Sequence, residues 1–414
     1  MTAPLSHLTV LDLSRILAGP WCSQLLADLG ATVIKIEHPS RGDDTRSWGP
    51  PFLKDIDGNE THEAAYYLGV NRNKQSVAVD FTHEDGRAIV RALARNADVM
   101  LENYKVGGLA KYGLDYAAVK IDNPGIVYCS VTGFGQSGPY AKNAGYDFMI
   151  QGMGGLMSIT GERDDRPGGG PQKVGVAVAD IMTGLYATIG IQAALAHRER
   201  TGQGQHVDMA LLDTQVAMIA NLNMNYLISG NVPGRMGNAH ANIVPYEAFP
   251  CADGHIILAV GNDGQFEKFC QIAGRPDIAS DPRYLRNADR VRNRDELVPL
   301  LASIIRTRTM RDWIDACDAA HVPCGPINRL DQVFADPQVI HRGMRIDLPH
   351  PLSGTVPQVI NPIKLSETPL AFRSAPPLLG QHTAAVLRER LGYDAGRIDD
   401  LAARGVIAVA DSAR

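Results

Sequence analysis

The chain has 414 residues, of which 45% are hydrophobic and 21% charged, and its formal net charge is −5. That length exceeds what one hydrophobic core usually serves, so two domains are expected. The charge balance gives nucleic acid and anionic membranes no reason to bind, and the composition is that of an ordinary globular enzyme.

The six cysteines (Cys22, Cys129, Cys251, Cys270, Cys317 and Cys324) are widely scattered, with no C-x-x-C pair. This spacing argues for reduced thiols in a cytoplasmic protein, and against both a disulfide framework and a structural zinc site. Met1 to Ser6 carries no charged segment followed by an apolar core, so no secretory leader is expected. The apolar run near residues 181–196 is too short and too polar at its ends to span a bilayer.

In chain order, residues 8–14 predict a strand, 20–29 a helix with proline at its start and Gly30 at its end, and 32–37 a second strand. Glu37, closing this βαβ unit, invites reading as an NAD site. The connecting loop SRILAG, however, holds one glycine where a dinucleotide fingerprint needs three, so a bound nicotinamide or flavin is rejected. Strands at 76–81, 97–103 and 125–135 alternate with helices at 83–96 and 107–112. The alternation predicts an α/β fold with a doubly wound, mainly parallel sheet whose ligand lies beyond the carboxyl ends of the strands. Those ends carry residues 14–19, 38–46, 103–104 and 133–138.

Residues 174–179 predict a short apolar strand that runs into a helix ending near Arg200, with Asp180 as its first residue or N-cap. Asp180 is the one charge between Val174 and His197. Locally the cap reading weighs more. The sharper reading is a carboxylate nucleophile, kept ionised by the helix terminus, with Gly175, Ala179 and Gly184 leaving room for a substrate. Residues 208–228 predict one long Met-rich helix, its methionines filling a core. A Gly/Asn/Pro-rich connector at 229–245 sets a domain boundary, and 246–260 reads as a hairpin with a DG turn. GNDGQ follows at 261–265, then a helical region through Ala320, a second linker at 321–337, and Pro-rich loops before a helix at 382–391. The GGGP run at 168–171 lacks a following GK[ST] and is a loop tip, not a phosphate cradle. The expected domains are 1–228, the first part of a large domain; 229–325, a smaller α+β domain; and 326–414, a return linker with the rest of the large domain.

Several segments, in order and over nearly the whole chain, resemble the class III CoA-transferases, a family that includes formyl-CoA:oxalate and carnitine transferases. They include VLDLSRILAGPWCSQLLADLGATVIKIEHPSRGDDTRSW, ADVMLENYKVGGLAKYGL, VYCSVTGFGQSGPYAKNAGYDFMIQGMGGLMSITG, GVAVADIMTGLYA, RTGQGQHVDMALLD, VPYEAF and AVGNDGQF. The resemblance implies a Rossmann-like large domain and an interlocked homodimer in which the linkers at 229–245 and 322–337 cross between subunits. It implies coenzyme A and acyl-CoA as substrates, a carboxylic acid as acceptor, and no permanently bound cofactor or metal. Asp180 falls on the family's nucleophile, and 261–265 on its mobile glycine loop, with Gly261 and Gly264 as hinges and Gln265 beside them.

The implied CoA contacts are Arg15, Ile16, Leu17 and Ala18 along pantetheine and adenine, and His38 with Arg41 or Arg46 near the phosphates. Lys74, Asn103, Tyr104, Lys111, Tyr146 and Asp147 match further contact positions. Arg15 and His38 depart from the residues common in the family. The related racemases use a histidine in a GHD motif, and this chain has GYD at 145–147. A tyrosine with pKa near ~10 is a poor general base at neutral pH, so no racemisation of 2-methylacyl-CoA is expected. The segments are most similar to members that use succinyl-CoA and a dicarboxylic acid such as glutarate or malate. Arg46, Arg72 and Lys173 are candidate anchors for the acceptor's free carboxylate, each also readable as an ordinary surface charge. Formyl-CoA:oxalate-type or carnitine-type transfer, and a non-catalytic acyl-CoA binding protein, stand as alternatives.

Overall fold

The computed structural model describes residues 3–410, so Met1 and Thr2, part of the segment read for a leader, lie outside the described residues. The chain divides into two compact units. One contains Val174–Leu227 together with the residues up to Leu156 and from Ile340; the other contains Met157–Lys173 and Ile228–Val339. The second unit therefore includes residues 157–173, which the sequence assigned to the large domain, and runs beyond residue 325.

In the first unit seven strands form one sheet. Their order is Ile407–Ala408, Lys74–Val79, Thr32–Glu37, Thr9–Asp12, Val99–Glu102, Val127–Thr132 and His206–Ala210. Neighbours are parallel except the antiparallel edge strand Ile407–Ala408. Val10, Leu11, Val33, Ile34, Val77 and Val79 are all buried, as a sheet covered on both faces requires. Helices Ala18–Asp28 and Val178–Thr201 share the core on one face, and Glu84–Arg95 and Thr383–Leu391 share the core on the other. Winding reverses at Thr9–Asp12, so a crevice opens beyond the carboxyl ends of Thr9–Asp12 and Val99–Glu102.

The helix carrying Asp180 begins two residues earlier than expected. It spans Val178–Thr201 with Ala177 as N-cap, and residues 174–177 form no strand. Asp180 therefore sits inside the first turn and is not the cap. The helix stops at Gly202, whose φ of 72° suits glycine, with Arg198 and Arg200 complementing the last carbonyls. At 24 residues it is, among the described residues, the one helix long and apolar enough to cross a membrane, which counting only its apolar middle had concealed. Its stripe of small residues, Ala179, Thr183, Gly184, Ala187 and Ala194, is buried in the core of this unit. A Cβ on Gly184 would stand 2.7 Å from the Ala18 carbonyl oxygen, so the two helices touch at backbone distance.

The single Met-rich helix expected at 208–228 is instead a strand, His206–Ala210, and two helices, Leu211–Met218 and Asn221–Ser229. The sheet claims the first residues by pairing Asp208 with Ser130, and Ala220, at φ 51°, breaks the helix.

In the second unit, Tyr246–Pro250 and His255–Ala259 form the expected hairpin, and Cys324–Pro326 adds a third antiparallel strand. Phe249, Leu258, Phe266, Phe269 and Trp313 fill its core. GNDGQ is a helix start. Asn262 caps Asp263–Ile272 by accepting the Gln265 N–H, and Gln265 Oε1 accepts the Gly261 N–H at 2.8 Å. The buried Arg290 ties this turn down through Asp263 at 2.8 Å and lies over the Phe266 ring. Gly264 and Gln265 thus lie in the first turn of this helix, and Gly261 stands just before its cap.

Candidate active site

At the carboxyl ends of the large sheet lies a cavity of about 550 Å³, a size that suits a small-molecule ligand. Its walls bring together Arg15–Ala18 after the first strand, His38 and Arg41 after the second, Asn103, Tyr104 and Lys111, then Tyr146 and Asp180. These side chains come from separate parts of the sequence, and the sheet's winding reversal is what gathers them.

The loop after Thr9–Asp12 is held across that reversal. Asn103 Oδ1 accepts the Arg15 N–H at 2.9 Å, and its Nδ2 donates to the Arg15 carbonyl at 2.7 Å. The Arg15 guanidinium pairs with Asp44 at 2.7 Å and lies over the Tyr104 ring. With Lys105 and the exposed Arg41 and Lys111, it makes the mouth of the cavity rich in cations, the electrostatics a polyphosphate ligand needs.

Asp180 faces this cavity from the first turn of its helix. The free N–H groups of that turn do not serve it. Asp147, on the helix Asp147–Met153, accepts the Ala179 N–H at 2.8 Å and the Asp180 N–H at 3.4 Å. Gln151 holds Asp147 from below at 2.7 Å and also accepts the Val174 N–H, so one short helix fixes the whole approach to Asp180. Burial raises the Asp180 carboxyl, and the Asp147 charge raises it further, to about 7. The expectation of a carboxylate kept ionised by the helix end is thereby reversed. A carboxylate made unstable in this way is a stronger nucleophile once ionised.

Other expected residues lie elsewhere. Arg46 is buried behind the cavity, forked onto Glu37 at 2.8 and 2.9 Å and bonded to Glu63 at 3.0 Å and the Pro377 carbonyl at 3.0 Å. Lys74 is 1% exposed and directs its ammonium at the Pro20 carbonyl, Asn71 and Asp12. Burial lowers its pKa to about 7 against the pull of Asp12. Neither cation faces a ligand, because each is consumed by buried acceptors. Arg72 is likewise spent on Asp28 at 2.6 Å and the Val359 carbonyl. Asp147 acts behind Asp180 and does not line the cavity. Gly261, Gly264, Gln265 and Lys173 belong to the second unit.

The sequence reading missed Lys35 and Asp43, which line the cavity floor. It also missed Tyr66, whose hydroxyl is pushed up to about 12 by burial and then by the Asp180 and Asp147 charges. Trp48 packs edge-on against Tyr66, with ring centroids 5.2 Å apart. Lys35 and Glu37 at one strand end, next to Asp43, offered a signal: charges of both signs inside an apolar strand end imply buried pairing.

Residues 5–383 match the profile of CoA-transferase family III. The chain is 54% identical to a succinate–glutarate CoA-transferase of Agrobacterium fabrum, over 93% of this chain and 95% of that protein. It is 43% identical to the succinyl-CoA:glutarate CoA-transferase of Mus musculus, over 98% and 90%. A crystal structure of a CAIB/BAIF family protein from Brucella suis superposes with a TM-score of 0.82 at 51% identity, covering 94% of this chain and all of that one.

Proposed function

The chain belongs to CoA-transferase family III, and from that premise we propose that it moves CoA from succinyl-CoA to a dicarboxylic acid of the glutarate type by covalent exchange on Asp180. The observation that carries this reading is that Asp180 lines the same cavity as Arg15–Ala18, Asn103 and Lys111. The substrates follow from the names of the relatives.

In the first step the Asp180 carboxylate attacks the donor's thioester carbonyl, the C–S bond breaks, and a mixed anhydride and CoA thiolate form. The thiolate then attacks the aspartyl carbonyl, releases succinate, and leaves an aspartyl-CoA thioester. The acceptor carboxylate attacks that thioester, expelling the thiolate and giving a second anhydride. Attack of the thiolate on the acceptor's acyl carbon releases the new acyl-CoA and restores Asp180. One activated acyl group is exchanged for another at each stage, so the sequence of steps needs no external energy source. Anhydrides hydrolyse, so the half-buried setting of Asp180 serves to keep water away.

Incubation with labelled succinyl-CoA and a panel of mono- and dicarboxylic acids tests the proposal. With the label in the CoA moiety, it is expected to move from succinyl-CoA into glutaryl-CoA, while the succinyl group leaves as free succinate. Tight CoA binding with no exchange to any acid would instead identify an acyl-CoA binding protein.

Asp180 must be ionised to attack, so kcat/KM is expected to rise with pH through about 7. Asp147→Asn keeps an acceptor for the Ala179 N–H but removes the neighbouring charge. The acid limb of the pH profile should then move down by roughly half to one pH unit. An unmoved limb would show that Asp147 does not tune the nucleophile.

The active form is a homodimer, interlocked as the family resemblance implies, in the cytoplasm. The first unit exposes Phe148, Met149, Met153, Leu185, Tyr186 and Ile189 on two helices that pack against each other, Asp147–Met153 and Val178–Thr201, an apolar face of the kind a second subunit would cover. The six unpaired cysteines fit a reducing compartment. A monomeric mass in solution would refute the dimer.

A further inference from the structure

Ile16 stands at φ 73°, in the left-handed region that a β-branched residue rarely enters, and it lines the cavity that holds Asp180. Backbone strain of this kind persists only where neighbours enforce it. The Ile16 N–H donates to both oxygens of Asp43, at 3.2 and 3.3 Å. Asp43 is held in turn by Lys35 at 2.9 Å, both side chains wholly buried, and by the Thr45 N–H and hydroxyl at 3.0 and 2.8 Å. Lys35 also donates to the Ser14 carbonyl at 2.9 Å, so one pair grips the loop on both sides of Arg15.

Every N–H from Leu13 to Ile16 is taken by protein: by the Leu101 carbonyl, Asp12, Asn103 and Asp43 in turn. In dinucleotide-binding folds this loop offers its N–H groups to phosphate. Here they turn inward onto protein acceptors, so what the loop can offer a ligand is side chains.

We propose that Lys35 and Asp43 are positioning residues for CoA recognition, clamping Ile16 in its left-handed backbone so that the Arg15–Leu17 side chains form one wall of the ligand site. The proposal rests on reading this cavity as the CoA site.

Asp43→Asn is expected to raise KM for succinyl-CoA about tenfold while kcat stays within about twofold, because the clamp acts on binding and not on Asp180. Asparagine tolerates the left-handed region, so adding Ile16→Asn to that variant removes the strain the clamp opposes. Whatever the loss of the Ile16 side chain from the ligand wall itself costs in binding, Asp43→Asn introduced into the Ile16→Asn background should raise KM by no more than about threefold further. A merely structural role for the pair would not produce a KM defect that depends on the backbone tolerance of residue 16. An unchanged KM in Asp43→Asn, a fall in kcat alone, or an equal KM increase in both backgrounds overturns the proposal. Should Asp43→Asn not fold, Ile16→Asn alone decides: it is expected to melt about 2–4 °C higher, and an equal or lower melting temperature overturns it. Calorimetry on the parent enzyme separates the two readings. Absence of CoA binding there overturns the cavity reading and this proposal together, whereas binding with an unchanged KM in Asp43→Asn overturns the clamp alone.

Discussion

Asp180→Ala is expected to lower succinyl-CoA:glutarate exchange by on the order of 10³-fold or more while CoA affinity stays within about threefold. The separation follows from geometry: Asp180 occupies one wall, and the cations at the mouth come from other elements. Retained turnover would refute the nucleophile. Asp180→Asn adds a second readout. Because burial and Asp147 raise the folded-state pKa to about 7, the folded protein binds this proton more tightly than the unfolded chain does. Stability from this group is present at low pH and is lost as pH rises from the ordinary carboxyl range to about 7. At pH 8 the asparagine variant should therefore melt a few degrees higher than the parent, on the order of 1–3 kcal/mol, and be inactive. The raised Asp180 carboxyl thus costs the fold stability, as functional groups held in unfavourable settings commonly do.

The second large effect is structural. Arg46→Ala should destabilise the protein by roughly 3–5 kcal/mol, since it leaves two buried carboxylates, Glu37 and Glu63, without their cation. Burial alone would raise Glu37; the Arg46 guanidinium outweighs it and holds the carboxyl below its ordinary value. In the parent, stability from Glu37 is therefore lost as pH falls. In the variant the uncompensated carboxylates gain by taking protons, so the deficit should shrink as pH is lowered toward about 5. Melting temperatures of both proteins across pH 5–8 check this; a deficit that grows on acidification would refute the pairing as its cause.

Much of the large sheet was legible because its strands are short, largely apolar runs that alternate with helical segments, a local signal. The residues at the strand ends were legible because the fold class itself says where ligands lie. The failures have a common cause: tertiary pairing overrode a local pattern. Residues 174–177 look like a strand but have no sheet edge to join, while 208–210 looked helical until the sheet claimed them. Arg46 and Lys74 were implied as CoA contacts by the family resemblance, and a matching position cannot tell a cation that faces a ligand from one folded inward. Lys35, Asp43 and Tyr66 escaped notice for the converse reason, since their partners are distant in the chain or, for Asp43, wait on a fold in the loop.

Glu37 ends the second strand where a dinucleotide enzyme of similar topology keeps a free carboxylate for ribose. Here both its oxygens are filled, by Arg46, the Asp43 N–H, Ser76 and Tyr67. Releasing Glu37 by mutation strands a charge inside the protein unless Arg46 and Glu63 change with it. Single-step evolutionary routes from this scaffold to a nicotinamide-dependent one therefore pass through unstable intermediates, and a designer who wants that conversion must replace the triad as a block.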